Sequence, residues 1–183
     1  MTRPTPARTV VEAILARFNS PDADIAPLSK SPLIFAKAPP GDPIENFVPE
    51  PSGWPYAGYV RIEELTKAEE QNSGTLSTLM RVGVHVLGRG VDHAEVAEEL
   101  NDILYRTMQA VGNELSSNTG MTGNAAQPRF GLADREGDCI VDLNPLVRLE
   151  AARPVAGEDG NTLYFVGSYW FELEHELDIR GGQ

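Results

Sequence analysis

The chain has 183 residues, 41% of them apolar, and a formal net charge of −12. That length suits one domain burying about two-thirds of its unfolded surface, and that apolar content excludes wholesale disorder. The charge argues against nucleic-acid binding, which draws on Lys and Arg to neutralise phosphates; the acidic excess lies late, −4 over 91–130 and −7 over 131–183.

The first expected element is a helix. Thr9-Val10-Val11-Glu12 matches a capping box, in which a hydroxyl and a carboxylate satisfy free backbone N–H groups. Val10, Val11, Ile14, Leu15 and Phe18 then form an apolar stripe, and Asn19-Ser20-Pro21 ends it. Residues 21–55 hold nine of the fourteen prolines, so no long helix or central strand is expected there. Only Leu33-Ile34-Phe35 offers a short strand, and the segment reads as an extended arm or loop, closed by Trp54-Pro55-Tyr56 as an anchor.

Strands are expected over Tyr59–Thr66 and Leu76–Leu87. In the second, Met80, Val82, Val84 and Val86 share one face, with Arg81, Gly83 and His85 on the other, as in an antiparallel sheet covered on one side. Asp92 caps a second helix, with Glu95 completing a box-like pair. Val96, Leu100, Ile103, Leu104, Met108 and Val111 form its apolar stripe, opposite a charged face. Residues 112–128 read as a mobile loop rich in Gly, Ser, Asn and Thr. Two more strands follow, Cys139–Glu150 broken by Pro145 and Thr162–Leu177, around a hairpin-type turn at Glu158-Asp159-Gly160-Asn161. In the last, Leu163, Phe165, Tyr169, Phe171 and Leu173 share one face and Glu172, Glu174, Glu176 and Asp178 the other. The expected fold is α+β: a single domain with a mostly antiparallel or mixed sheet of four to five strands packed on two main helices.

Known chemistry finds little purchase. Gly88-Arg89-Gly90-Val91-Asp92-His93 follows a strand and opens a helix, but His93 replaces the third glycine of a dinucleotide fingerprint. Asp92, Glu95, Glu98 and Glu99 crowd the helix end that should attract a pyrophosphate. His85, His93 and His175 stand apart in sequence without zinc-ligand spacing, and Asp134–Asp138 lacks the ligand order of a calcium loop. Ser168 lacks the second glycine of a nucleophile elbow, and Cys139 reads as a small core residue. Glu172 and Glu174 stand about 7 Å apart on one strand face, as alternating acids on a solvated face do. No cofactor, metal or catalytic residue is expected.

With this order of elements, Leu79-Met80-Arg81-Val82-Gly83-Val84-His85-Val86-Leu87, followed by Gly-Arg-Gly and an acidic helix from His93 to Val111, resembles the tail-terminator and minor tail proteins of long-tailed bacteriophages. Tyr56-Ala57-Gly58-Tyr59-Val60-Arg61-Ile62 and the closing pattern of Val147-Arg148-Leu149, hairpin and apolar strand are similar too. The resemblance covers most of the chain except 21–53 and 112–135. It implies a structural protein without an active site, assembling as a hexameric ring that caps the tail tube and offers a docking face to the head connector or neck proteins. DNA would pass through such a ring without specific binding. Acids lining the channel would repel it, with Glu95, Glu98, Glu99, Glu172, Glu174 and Glu176 as candidates from charge clustering. Trp54, Tyr56 and Tyr59 are candidate subunit contacts.

The implied location is the host cytoplasm during assembly and then the virion. A soluble intracellular product is expected on other grounds: no window approaches the roughly 18 apolar residues of a membrane span, residues Thr2–Arg8 do not resemble a signal peptide, and the single Cys139 fits a reducing compartment. Two other readings compete, a different head–tail joining or baseplate assembly protein and a small cytoplasmic enzyme with an unrecognised carboxylate site.

Overall fold

Helix α1 (Pro6–Phe18) starts three residues before the Thr9 capping box. Proline lacks the N–H that a first helical residue leaves unbonded, and its fixed φ already suits a helix, so Pro6 opens the first turn. Thr9 thereby falls inside the helix, and the Glu12 carboxylate accepts a 2.7 Å hydrogen bond from Arg8 Nε one turn back. The helix ends as its sequence suggests, Asn19 N–H donating to the Leu15 carbonyl at 3.0 Å and Ser20 N–H to that of Arg17 at 3.2 Å. Val10, Val11, Ile14 and Phe18 are buried, with Leu15 packed beside them.

The computed structural model describes residues 6–20, 35–37, 56–66, 69–71, 75–89, 91–116, 130, 141–156 and 163–178. Trp54, Cys139, the Glu158–Asn161 turn and most of the segments 21–55 and 112–128 lie outside them. The described part of the Pro-rich segment is β1 (Phe35–Lys37), which overlaps the expected short strand only at Phe35.

Four long strands build the sheet: β2 (Tyr56–Leu65), β4 (Thr75–Gly88), β5 (Val141–Ala156) and β6 (Leu163–Asp178). Their order is β2-β4-β6-β5, antiparallel throughout. β1 lies parallel along Gly58–Val60 of β2, and β3 (Glu69–Gln71) pairs with the start of β4. This is an α+β fold with a mostly antiparallel sheet. Pro145 does not break β5. It falls where the register against β6 shifts between Asn144 and Arg148, and β5 is a terminal strand, which tolerates the missing donor.

The alternation read from the sequence fixes the core face. Met80, Val82, Val84 and Val86 of β4 lie opposite Leu173, Phe171, Tyr169 and Gly167 of β6, and Val60 of β2 joins them. Helix α2 (His93–Ser116) covers this face over β4, β6 and β5, and α1 covers it over β1 and β2. Val96, Leu100, Ile103, Leu104 and Val111 are buried there; burial contributes roughly 1.5–3 kcal/mol for each large apolar side chain. The Asp92 carboxylate caps α2, accepting the N–H groups of Ala94 at 3.0 Å and Glu95 at 3.1 Å, a device contributing about 1 kcal/mol.

Helix α2 runs through Gly112 to Ser116, beyond the boundary expected at Val111. A mid-helix glycine costs roughly 0.5–1 kcal/mol relative to alanine, less than the anchoring supplied by the buried turns before it. Gly88 has a packing reason as well as a turn position. A Cβ there would stand 2.7 Å from the Tyr56 ring and 3.2 Å from Val96 Cγ1, so the glycine lets β2 and α2 close over the end of β4.

Candidate functional site

The face of the sheet turned away from the helices carries the chemistry. β2 is irregular there: the register against β4 shifts between Ile62 and Glu64. A bulge adds a residue and re-aims the strand, so Glu63 and Glu64 both serve the polar face instead of alternating. Glu63 Oε1 accepts from Arg61 Nε at 2.6 Å and meets His85 Nε2 at 2.6 Å. His85 Nδ1 in turn lies 2.9 Å from Ser168 Oγ. Glu64 takes Arg81 at 2.8 Å, and the same guanidinium reaches Glu172 at 3.0 Å. Trp170 stands edge-on to His85, centroids 5.7 Å apart, and Arg148 covers Trp170 at 5.1 Å while pairing with Glu150.

Serine, histidine and carboxylate in series invite a nucleophile reading, which the surroundings oppose. Ser168 is 5% exposed, in the middle of a strand bonded on both sides. The amides of β6 are engaged in the ladders to β4 and β5, whereas acyl transfer needs converging N–H groups aimed at an oxyanion. The chain of bonds instead ties β2, β4 and β6 together across the face turned away from the helices. Hydrogen bonds to a charged group contribute roughly 1.5–3 kcal/mol each when well buried, and Glu63 is only partly so.

Burial pulls the Glu63 carboxyl upward, but hydrogen bonds from Arg61 and His85, and their charges, outweigh it and hold the group below the usual carboxylate range. Its folded value being depressed, the stabilisation is complete above the unfolded glutamate value of about 4.3 and is lost as pH falls through the folded value. The denaturant midpoint should therefore drop below about pH 5 more steeply in the native chain than in Glu63→Gln. Equal acid slopes in the two proteins would show that Glu63 does not contribute this dependence.

The candidate acids separate into two groups on opposite sides of the molecule. Glu95 and Glu98 are exposed on the outer face of α2, and Asp102 continues their stripe. None of the three has an ionic partner among the described residues. Glu99 is half-buried and accepts the Tyr56 hydroxyl. Glu172 and Glu174 lie half-buried on the far sheet face, Glu172 paired with Arg81. Glu176 pairs with Ser77 in the ladder, and its side chain lies outside the described residues.

Tyr56 corrects an expectation. It is 8% exposed, its ring filling the core beside Gly88, so it is no free subunit contact. Tyr59 is half-buried on the polar face opposite His85, where burial raises its phenol above the ordinary value. The His85 cluster was hidden in the sequence because its members are 22 and 83 residues apart. Face parity alone could have grouped Arg61, Glu63 and His85; joining Ser168 required the register of β4 on β6.

Among the described residues, large apolar side chains are exposed on the sheet, on α2 and at Val91 in the turn before α2. Leu65, at the end of β2, is 58% exposed, and Leu149, on β5, is 49% exposed. Tyr105 on α2 is 61% exposed. Helix α2 starts beside Phe165, its His93 ring 5.5 Å away, and at Asn101 it accepts the Ala152 N–H at 2.9 Å. Tyr105, one turn on, thus lies on the β5 flank with Leu149.

No family model matches the chain, and no curated protein matches it. Among the described residues, no group of three or more His, Cys, Asp or Glu is placed to hold a metal ion, and no helix is long and apolar enough to cross a membrane.

Proposed function

We propose that this chain is a ring-forming structural subunit of the tail-terminator type, which caps the tail tube of a long-tailed bacteriophage and joins it to the head connector. Its partners are then other copies of itself, the tail tube protein and the neck proteins, and its place is the host cytoplasm during assembly and the virion afterwards. The observation that carries the reading is the unequal treatment of charge on the two faces. On the sheet face, Arg61 pairs with Glu63, Arg148 with Glu150, and Arg81 with both Glu64 and Glu172. On α2, Glu95, Glu98 and Asp102 are exposed, and none has an ionic partner among the described residues.

An exposed acidic stripe repels the DNA backbone. In a ring with α2 turned inward, the stripe repeats around the channel and DNA slides past without binding. Of the candidate lining residues, Glu95 and Glu98 belong to this stripe, and Asp102 joins them. Glu99 and Glu172 have other partners. Catalysis has no part in this reading, and the Glu63–His85–Ser168 chain serves stability.

Light scattering across a wide concentration range, with electron microscopy of the same samples, tests both parts. The expected result is a closed multimer of the 19.9 kDa chain with a central channel lined by α2. A monomer at every concentration would overturn the ring, and α2 on the outer rim would overturn the lining role.

A further inference from the structure

We infer that the sheet face turned away from the helices is a docking surface for the chain itself at its Leu87 end, the occupant being the connection from β1 to β2, residues 38–55. This goes beyond the ring reading and stands without it. Leu87 of β4 and Val166 of β6 lie opposite each other, and Ala57 of β2 completes their row. Parity puts the row on the side of His85 and Ser168, away from α1 and α2, and neither Leu87 nor Val166 belongs to the core cluster under the helices. Yet Leu87 is 0% exposed and Val166 5%. A leucine on a bare sheet face keeps part of its side chain in water, so this row is covered.

The cover has limits. One strand further on, Arg153 lies opposite Val166 and is exposed. Toward the other end of the same face, Arg148 is exposed and Arg61, Trp170 and Glu172 are only half-buried. The covered patch thus spans β2, β4 and β6 at the end where β2 begins.

Handedness selects the occupant. β4 and β5 run the same way, since two antiparallel pairings separate them, and α2 connects them over the helix-covered face. β1 and β2 are parallel too, and run opposite to β4. Both connections step across the sheet in the same direction, towards β5. Crossovers between parallel strands of one sheet are nearly always right-handed. With the same step and reversed strands, two crossovers of one hand lie on opposite faces. Residues 38–55 therefore cross on the face that α2 does not occupy. On the other side, α1 already sits over β1 and β2.

Length and composition agree. The connection leaves β1 at Lys37, beside Val60, and re-enters at Tyr56, beside Gly88 and next to the Leu87 row. That return is only about 13 Å along the strand, so most of the segment is free to cover surface. Ile44, Phe47, Val48 and Trp54 supply apolar side chains, and its prolines remove N–H groups that a backbone over buried surface would have to satisfy. Phe130, from the connection between α2 and β5, stacks on Phe171 in the core, which ties that connection to the helix side instead. The Pro-rich segment then belongs to the subunit's own body, and partners meet this face only at its ion-paired end.

The test uses the full chain with Cys139→Ser and Asn46→Cys, combined with Arg153→Cys beside the covered patch or Tyr105→Cys on α2, both exposed positions. Each dilute protein is treated with a flexible bismaleimide, and linked peptides are mapped by mass spectrometry. The expected result is a link within one chain between positions 46 and 153, and none between 46 and 105. A link from 46 to 105 would put the segment on the helix side. Links only between chains would make a neighbour's segment the occupant, and no link at all would leave the patch to another part of the molecule; each of these overturns the inference. In a second variant a Gly-Ser stretch of equal length replaces residues 42–50. It should keep the circular dichroism of the sheet and bind several-fold more of a dye for apolar surface, as Leu87 and Val166 lose their cover. Unchanged dye binding by that folded variant would count against the docking as well.

Discussion

Replacing Phe171 with alanine is expected to destabilise the fold by about 3–5 kcal/mol, the range for truncating a fully buried aromatic. Phe171 is wholly buried on β6, the strand joining β4 to β5, with Tyr169 stacked at 5.7 Å and Phe130 at 6.4 Å. Lost transfer energy and the cavity left behind both count, because β6 is bonded on both edges and α2 is seated above it, so the site cannot collapse. Against a total stability of about 5–15 kcal/mol for an ordinary domain, the loss would be a large share. Urea unfolding of the two proteins measures it, with an unchanged slope showing that the midpoint shift is stability. A loss under about 1 kcal/mol would mean that the ring is not in a close-packed core.

Gly83 should give the second large effect, with an unusual dependence on its neighbours. A Cβ at this position would stand 2.5 Å from Glu63 Oε1, 2.7 Å from His85 Nε2 and 2.9 Å from Glu63 Cγ. The pair bonds directly above the glycine, and a methyl group acts as a wedge against the 2.6 Å contact. Gly83→Ala should therefore cost about 1–3 kcal/mol, as overpacking does. With Glu63→Ala already present, two of the three crowding atoms are gone, and the intrinsic strand preference for alanine over glycine, roughly 0.5–1 kcal/mol, can reassert itself. The substitution should then be neutral or stabilising. A double-mutant cycle reads this coupling; an equal penalty in both backgrounds would show that the wedge acts elsewhere.

The two substitutions mark what was legible in advance. Phe171 could be placed in the core from the alternation of β6, because a period of two assigns each residue to a face. The same alternation located Met80, Val82, Val84 and Val86, and the Asp92 cap announced where α2 begins. Errors came at boundaries, where local signals compete. Thr9 offered a good cap, yet Pro6 opened the helix first, and Gly112 looked like a stop although α2 carries through it. Tyr56 offered itself both as an anchor of the Pro-rich segment and as a subunit contact, and nothing local says that Gly88 leaves room for its ring in the core.

The polar face was legible only in outline. Arg61, His85 and Glu172 fell on it by parity, but their partners depend on how strands align. The bulge between Ile62 and Glu64 sends two successive glutamates to one side, against the alternation that otherwise held. The same irregularity brings Glu63 over Gly83 and Glu64 to Arg81, so a local departure organises both ion-paired groups.

Sequence alone determined which faces are apolar, that helices and a mostly antiparallel sheet would form, and where the negative charge accumulates. These follow from periodicity, caps and composition, all local along the chain. Tertiary structure decided which charges cancel. Pairing β4 with β6 and β2 placed Arg81 between two carboxylates and His85 between Glu63 and Ser168, while the outer stripe of α2 kept Glu95, Glu98 and Asp102 without a counter-charge among the described residues. Ion pairing depends on distances of a few ångströms between residues far apart in the chain, which register and layer order set and composition does not.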